Sequence, residues 1–101
     1  MSIITVTKGN FDSEVANSER PVLIDFWASW CGACRMLAPV IAEIAQERDD
    51  IKVCKINVDE QPELSQRFEI FSIPTLVAMD GKNEKKRAVG VIPKEQILSL
   101  F

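Results

Sequence analysis

The segment VLIDFWA, residues 22–28, constrains this chain most. Seven residues run almost without a polar interruption, and a strand that reads this way is covered on both faces. A helical pattern follows at once. From residue 34 to residue 48, Leu37, Val40, Ile41, Ile44 and Ala45 recur at the spacing of one helix face, while Glu43, Glu47 and Arg48 fall off it. Pro39 lies inside that run, where it is expected to kink the helix rather than end it. A doubly covered strand feeding an amphipathic helix is the core unit of an α/β sheet.

The flanking segments extend the alternation. IITVT (residues 3–7) reads as a first strand, and NFDSEV as a helix start with Asn10 as its cap. IKVCKINVD (51–59) is another strand, and PELSQRF (62–68) a short helix with proline in its first turn. TLVAM and KRAVGV flank DGKN, a hairpin with Asp80-Gly81 as its turn signal, and PKEQILSLF makes a last helix. The order β-α-β-α-β-α-β-β-α implies helices on both faces of a partly parallel sheet with an antiparallel edge.

The 101 residues suit one domain spanning 1–101, and 47% hydrophobic with 27% charged residues is a globular mixture. A net charge of −3 with no long basic run leaves no electrostatic footprint for nucleic acid. No stretch approaches the length of a membrane span, and the first ten residues carry neither a basic n-region nor an apolar h-region. A cytoplasmic protein is the expectation. Three cysteines and no histidine argue against a disulfide framework. In a reducing compartment a CxxC pair is metal-binding or catalytic.

The pair is Cys31-Gly32-Ala33-Cys34, at the seam between strand and helix. Unpaired backbone N–H groups in a first helical turn carry partial positive charge and stabilise a thiolate there. Cys31, nearest the opening, is the attacking nucleophile. Cys34, about one turn on, is close enough to bond to it and resolves the intermediate. Arg35 adds a neighbouring cation. Structural zinc wants four ligands, and Cys54 is the one further candidate, so no metal is expected. Cys54 itself, alternating between Val53 and Lys55, reads as a buried, small apolar residue.

Two further features bear on chemistry. Asp25 interrupts an apolar strand, where an ionised carboxylate is costly and burial raises its pKa. It is expected to exchange protons with the Cys34 thiol through water. A salt-bridged or solvent-reaching Asp25 is the competing reading. Lys55, in a neighbouring strand, is expected to interact with Asp25, or else to bury its stem and keep its ammonium in water. Pro74, in SIPTL, belongs at a strand's first position; either isomer of the Ile73-Pro74 bond fits the sequence.

Together, VLIDFWASWCGAC, the helix with Pro39, KINVDE, SIPTL and Gly90 after RAV resemble the thioredoxin family over nearly the whole chain. The resemblance implies a thioredoxin fold, a central five-stranded mixed sheet flanked by four helices. It implies a protein disulfide reductase without a bound cofactor, in which Cys31 attacks and Cys34 resolves. Asp25 matches the family's buried acid, Lys55 the lysine near it, and Pro74 the family's cis-proline facing the cysteines. Trp30, Gly32, Ile73, Pro74 and Gly90, with Ala33 beside Gly32, match the surface that holds substrate. The partners implied are proteins bearing disulfides and a flavin-containing thioredoxin reductase, with the chain itself a monomer. The family's usual dipeptide between the cysteines is Gly-Pro, where this chain has Gly32-Ala33. That departure is expected to make the pair somewhat more oxidising. An oxidase or isomerase, or a non-catalytic binding module on the same fold, are the competing functions.

Overall fold

The computed structural model describes residues 3–101. Five strands form one sheet in the order β1-β3-β2-β4-β5: β1 Ile4–Thr5, β2 Val22–Trp27, β3 Lys52–Asn57, β4 Thr75–Asp80 and β5 Asn83–Val89. β2 runs parallel to β3 and antiparallel to β4, and β5 closes the antiparallel edge. Four helical elements flank the sheet: a short π-helical segment Asp12–Ala16, α1 Gly32–Glu47, α2 Pro62–Arg67 and α3 Lys94–Leu98. The mixed five-stranded sheet with four flanking helices is therefore as expected.

β2 is central because its residues can be buried on both sides. Successive side chains of a strand face opposite ways. Val22, Ile24 and Phe26 pack with Phe11, Val15, Leu64 and Phe68, beneath the π-helical segment and α2. Leu23 packs with Leu37, Ile41, Ile44 and Ile97, beneath α1 and α3. Burying a Leu, Ile or Phe side chain stabilises a fold by about 1.5–3 kcal/mol each, so these two layers commit the strand to the sheet centre. The periodic residues Leu37, Ile41, Ile44 and Ala45 are the buried face of α1, and the helix passes Pro39 without ending.

One local expectation is corrected. Asn10 does not cap the helix with its side chain. Its Oδ1 accepts the Thr7 N–H at 2.7 Å and its Nδ2 donates to the Thr5 carbonyl, so the side chain closes the preceding turn. The helix begins at Phe11, with Glu14 N–H bonding to the Asn10 carbonyl, and takes π geometry over Asp12–Ala16, with Asn17 N–H bonding back to the Asp12 carbonyl. The hairpin turn falls within DGKN as expected, with Gly81-Lys82 at its tip and Asp80 paired with Asn83. Gly81 has φ 59°, which a two-residue turn with glycine at its first central position requires.

Candidate active site

β2 ends at Trp27 and the chain crosses to α1 in four residues, so the top of the central strand delivers Cys31 to a helix N-terminus. Cys31 occupies the capping position. Its extended backbone (φ −88°, ψ 109°) starts the helix, and its Sγ accepts the Cys34 N–H at 3.1 Å. The sulfur thus stands where a serine or aspartate oxygen ordinarily caps a helix. The Cys31 and Cys34 sulfurs are bonded to each other, with Cα atoms 5.3 Å apart. The structure is the oxidised form of the pair.

Residue burial does not separate the cysteines, at 6% and 5% exposed. Their surroundings do. Cys31 Sγ accepts the helix N–H and lies 3.9 Å from the Ile73 carbonyl oxygen, across from α1. Cys34 lines a cleft of about 230 Å³ together with Trp27, Ala28, Ser29, Arg35, Ala38 and Lys55. Arg35 folds back over the loop, its Nη1 donating to the Ser29 carbonyl at 2.9 Å.

Asp25 is 1% exposed and its Oδ1 has no hydrogen-bond partner among the described residues. It shares the α1-side face of β2 with Leu23 and Trp27, and Lys55 stands opposite it in the parallel β2–β3 register. The carboxyl is neither solvent-reaching nor salt-bridged among the described residues. Burial pushes its pKa up to about 6, and the Lys55 charge opposes that rise in smaller measure. Lys55 is half-buried, with Nζ 5.6 Å from the centre of the Trp27 ring, and so lays its stem along apolar surface.

Pro74 follows a cis peptide bond from Ile73, at the foot of β4. Thr75 Oγ1 donates to the Ser72 carbonyl at 2.6 Å, and Gly90 N–H donates to the Pro74 carbonyl at 2.8 Å. These bonds hold the Ile73 carbonyl against the cysteines. Around them lie exposed Gly32, half-buried Ala33, Ile73 and Gly90, and Trp30, which is 67% exposed. The structure therefore gathers Trp30, Gly32, Ala33, Ile73, Pro74 and Gly90 around one pair of sulfurs, with Lys55 in the cleft beside Cys34 and Asp25 opposite Lys55 in the strand register.

Sequence reasoning passed over two contributors. Asp59 Oδ2 accepts the Trp30 indole N–H at 2.8 Å, fixing that ring beside the pair. Val58 packs on the cluster of Ala28, Cys31 and Cys34. Both lie in the KINVDE stretch just after β3, and their one sequence signal was proximity to that motif. Cys54 points to the opposite layer, wholly buried among Val22, Ile24 and Ile56, with its thiol pushed up to about 12 by burial. Among the described residues no group of three or more His, Cys, Asp or Glu is placed to hold a metal, and no helix is long and apolar enough to cross a membrane.

A bondable cysteine pair at a helix N-terminus, facing a backbone carbonyl beside a cis-proline, is the site of a thiol–disulfide oxidoreductase that works by dithiol–disulfide exchange. The thioredoxin family model matches residues 2–101. Thioredoxin from Alicyclobacillus acidocaldarius is 47% identical over 95 residues, which span 93% of this chain and 90% of that protein. Thioredoxin 1 from a Nostoc species is 50% identical over 90 residues, 88% and 84% of the two chains. A bifunctional thioredoxin reductase/thioredoxin from Mycobacterium leprae is 46% identical over 96 residues, 94% of this chain and 21% of that longer protein. The chain belongs to the thioredoxin family.

Proposed function

We propose that this protein reduces disulfides in other proteins. The observation that carries the reading is the setting of Cys31: a sulfur that accepts a helix N–H and lies 3.9 Å from the Ile73 carbonyl oxygen beside the Pro74 cis bond. The reduced Cys31 thiolate attacks one sulfur of a substrate disulfide. A mixed disulfide forms, the substrate S–S bond breaks, and the first substrate thiolate leaves and takes a proton. Cys34, as thiolate, then attacks Cys31 Sγ, forming the Cys31–Cys34 bond and releasing the second substrate thiol. Two electrons and two protons pass to the substrate.

Cys34 must lose its proton in the second step. Asp25, whose pKa burial raises to about 6 and which stands opposite Lys55 in the strand register, is the acceptor we assign, through water in the cleft that Lys55 and Cys34 line. Lys55 steadies the carboxylate once it forms. Trp30, Gly32, Ala33, Ile73, Pro74 and Gly90 hold the substrate chain. Backbone pairing at Ile73 reads no side chain and so admits many substrates.

A flavin-containing thioredoxin reductase restores the dithiol. The relative in which a thioredoxin reductase and a thioredoxin are joined in one chain supports this pairing. The protein acts as a monomer in the cytoplasm, and the unpaired, unreactive Cys54 suits a reducing compartment.

The test is the Cys34→Ser variant in its reduced form, mixed with a disulfide-bearing protein. It should accumulate a mixed disulfide through Cys31 that added dithiothreitol releases. Absence of that adduct, with Cys31 still alkylated by iodoacetamide, would refute the two-step exchange. The reduction potential in thiol–disulfide buffers decides the direction: a value well above the cytosolic glutathione poise makes the pair an oxidant or isomerase instead.

A further inference from the structure

Glu84 and Arg87 lie three positions apart on β5, a spacing that in a regular strand sends two side chains to opposite faces. The ladder with β4 breaks that rule. Arg87 pairs with Val77 and Glu84 with Met79, so Lys85 is an extra residue and the strand bulges there. Residues paired across a ladder share a face, and Val77 and Met79 both face the layer of Phe11, Leu64 and Phe68. The bulge therefore sets Arg87 and Glu84 side by side on the α2 face. There they make a two-point pair, Nε donating to Glu84 Oε2 at 2.6 Å and Nη2 to Oε1 at 2.7 Å. An exposed ion pair contributes little by itself, but this one aims a donor: the same Nη2 donates to the Phe68 carbonyl at 2.9 Å.

Phe68 ends α2. Glu69 turns left-handed (φ 54°) and Ile70 N–H returns to the Ser65 carbonyl at 2.9 Å, which closes the helix. The Phe68 carbonyl is a terminal acceptor outside the helix ladder, and Arg87 takes it. The next residues lead directly to Ile73, and Gly90 N–H, just past β5, takes the Pro74 carbonyl. One strand thus holds the Ile73 segment at both ends, Arg87 at Phe68 and Gly90 at Pro74. We propose that Arg87, set by Glu84, is a positioning residue for the reaction: it anchors residues 69–73 and so fixes the Ile73 carbonyl 3.9 Å from the Cys31 sulfur, where substrate backbone docks. The proposal rests on the reductase reading above. Arg87 bonds to Glu84 and Phe68 and acts on substrate only through that segment. A docking edge already held in place has less freedom to lose when substrate pairs with it. Loosening it raises KM and leaves the chemistry of the cysteines alone. Lysine replaces this arginine only in part, because an ammonium cannot fork to both carboxylate oxygens and still serve the carbonyl.

The experiment compares reduced wild type, Arg87→Ala and Arg87→Lys on insulin and on bis(2-hydroxyethyl) disulfide, which has no peptide chain to pair. Rates on that small disulfide normalise for any change in the cysteine pair itself. Arg87→Ala should raise KM for insulin about fivefold, the scale of one lost hydrogen bond, with kcat and the rate on the small disulfide unchanged. Arg87→Lys should recover part of the loss. In Arg87→Ala, amide hydrogen exchange should quicken at Glu69 and Ile70 and stay slow at Ile24 in the central strand. An unchanged KM for insulin, unchanged exchange at Glu69 and Ile70, or an equal loss on both disulfides would overturn the positioning role while leaving the reductase reading intact. A wild type inert on insulin would overturn both.

Discussion

Replacing Asp25 with asparagine tests the buried carboxyl most directly. In the folded protein its pKa is about 6, and in the unfolded chain it returns to its ordinary 3.8. Between those two values the folded state holds the proton more tightly than the unfolded state. Stability therefore falls as pH rises through that interval and levels off above it. A displacement from 3.8 to about 6 corresponds to about 3 kcal/mol. That is a large share of the roughly 5–15 kcal/mol that holds a domain of this size together. Asparagine has nearly the same shape and no charge to desolvate. Below about pH 3 the two proteins should be close in stability, because aspartic acid is neutral in both states there. At pH 7.5 the variant should be more stable by about 3 kcal/mol. Urea unfolding of the oxidised proteins, from pH 3 to pH 8, measures the difference directly. If it does not vary with pH, or if the variant loses ground as pH rises, Asp25 is not held in a site that penalises its charge. The proton role assigned to it then fails too.

Three further outcomes are expected. Glu69, exposed, has φ 54°, a conformation an L-residue enters at a cost; Glu69→Gly should raise stability by about 1 kcal/mol, seen as a melting temperature several degrees higher, and an unchanged or lower one contradicts the assignment. Cys54→Ser should lower stability by about 2 kcal/mol, since its hydroxyl enters the apolar layer of Val22, Ile24 and Ile56; in the reduced wild type at pH 7, with its thiol near 12, thiol reagents should label Cys54 only on unfolding, and rapid native labelling would show otherwise. Ala33→Pro removes one N–H from the first turn beside the Cys31 sulfur; one such donor is worth about 0.5–1.5 kcal/mol, so buffer equilibration should find the potential lower by about 10–30 mV, and a raised potential refutes the argument.

The sequence was informative wherever one property repeated along the chain. β2 and α1 were legible because an unbroken apolar run and a 3.6-residue stripe each have a single geometric solution. The cysteine pair was legible because its chemistry depends on spacing of three and on the seam where it sits. Asn10 was misplaced because an asparagine before a helical pattern serves a cap and a turn equally well, and only the path of the chain from Thr5 to Asn10 chooses between them. Arg87 gave no signal, since an arginine among the charges of an edge strand reads as solvated surface until the bulge that turns Glu84 to its face is known.

What the sequence determined alone, then, was the order of elements, the strand that lies at the centre, and the residue types available for chemistry, because these depend on local periodicity and composition. Which residues meet was decided by tertiary structure. Ile73 and Cys31 are 42 positions apart and become neighbours only because β4 lies antiparallel beside β2. Asp25 and Lys55 face each other only through the β2–β3 register, in which a slip of one residue would turn either side chain to the opposite layer. The raised pKa of Asp25 belongs to the same level: an aspartate has it only when Leu23, Trp27 and the helix above them have already excluded water.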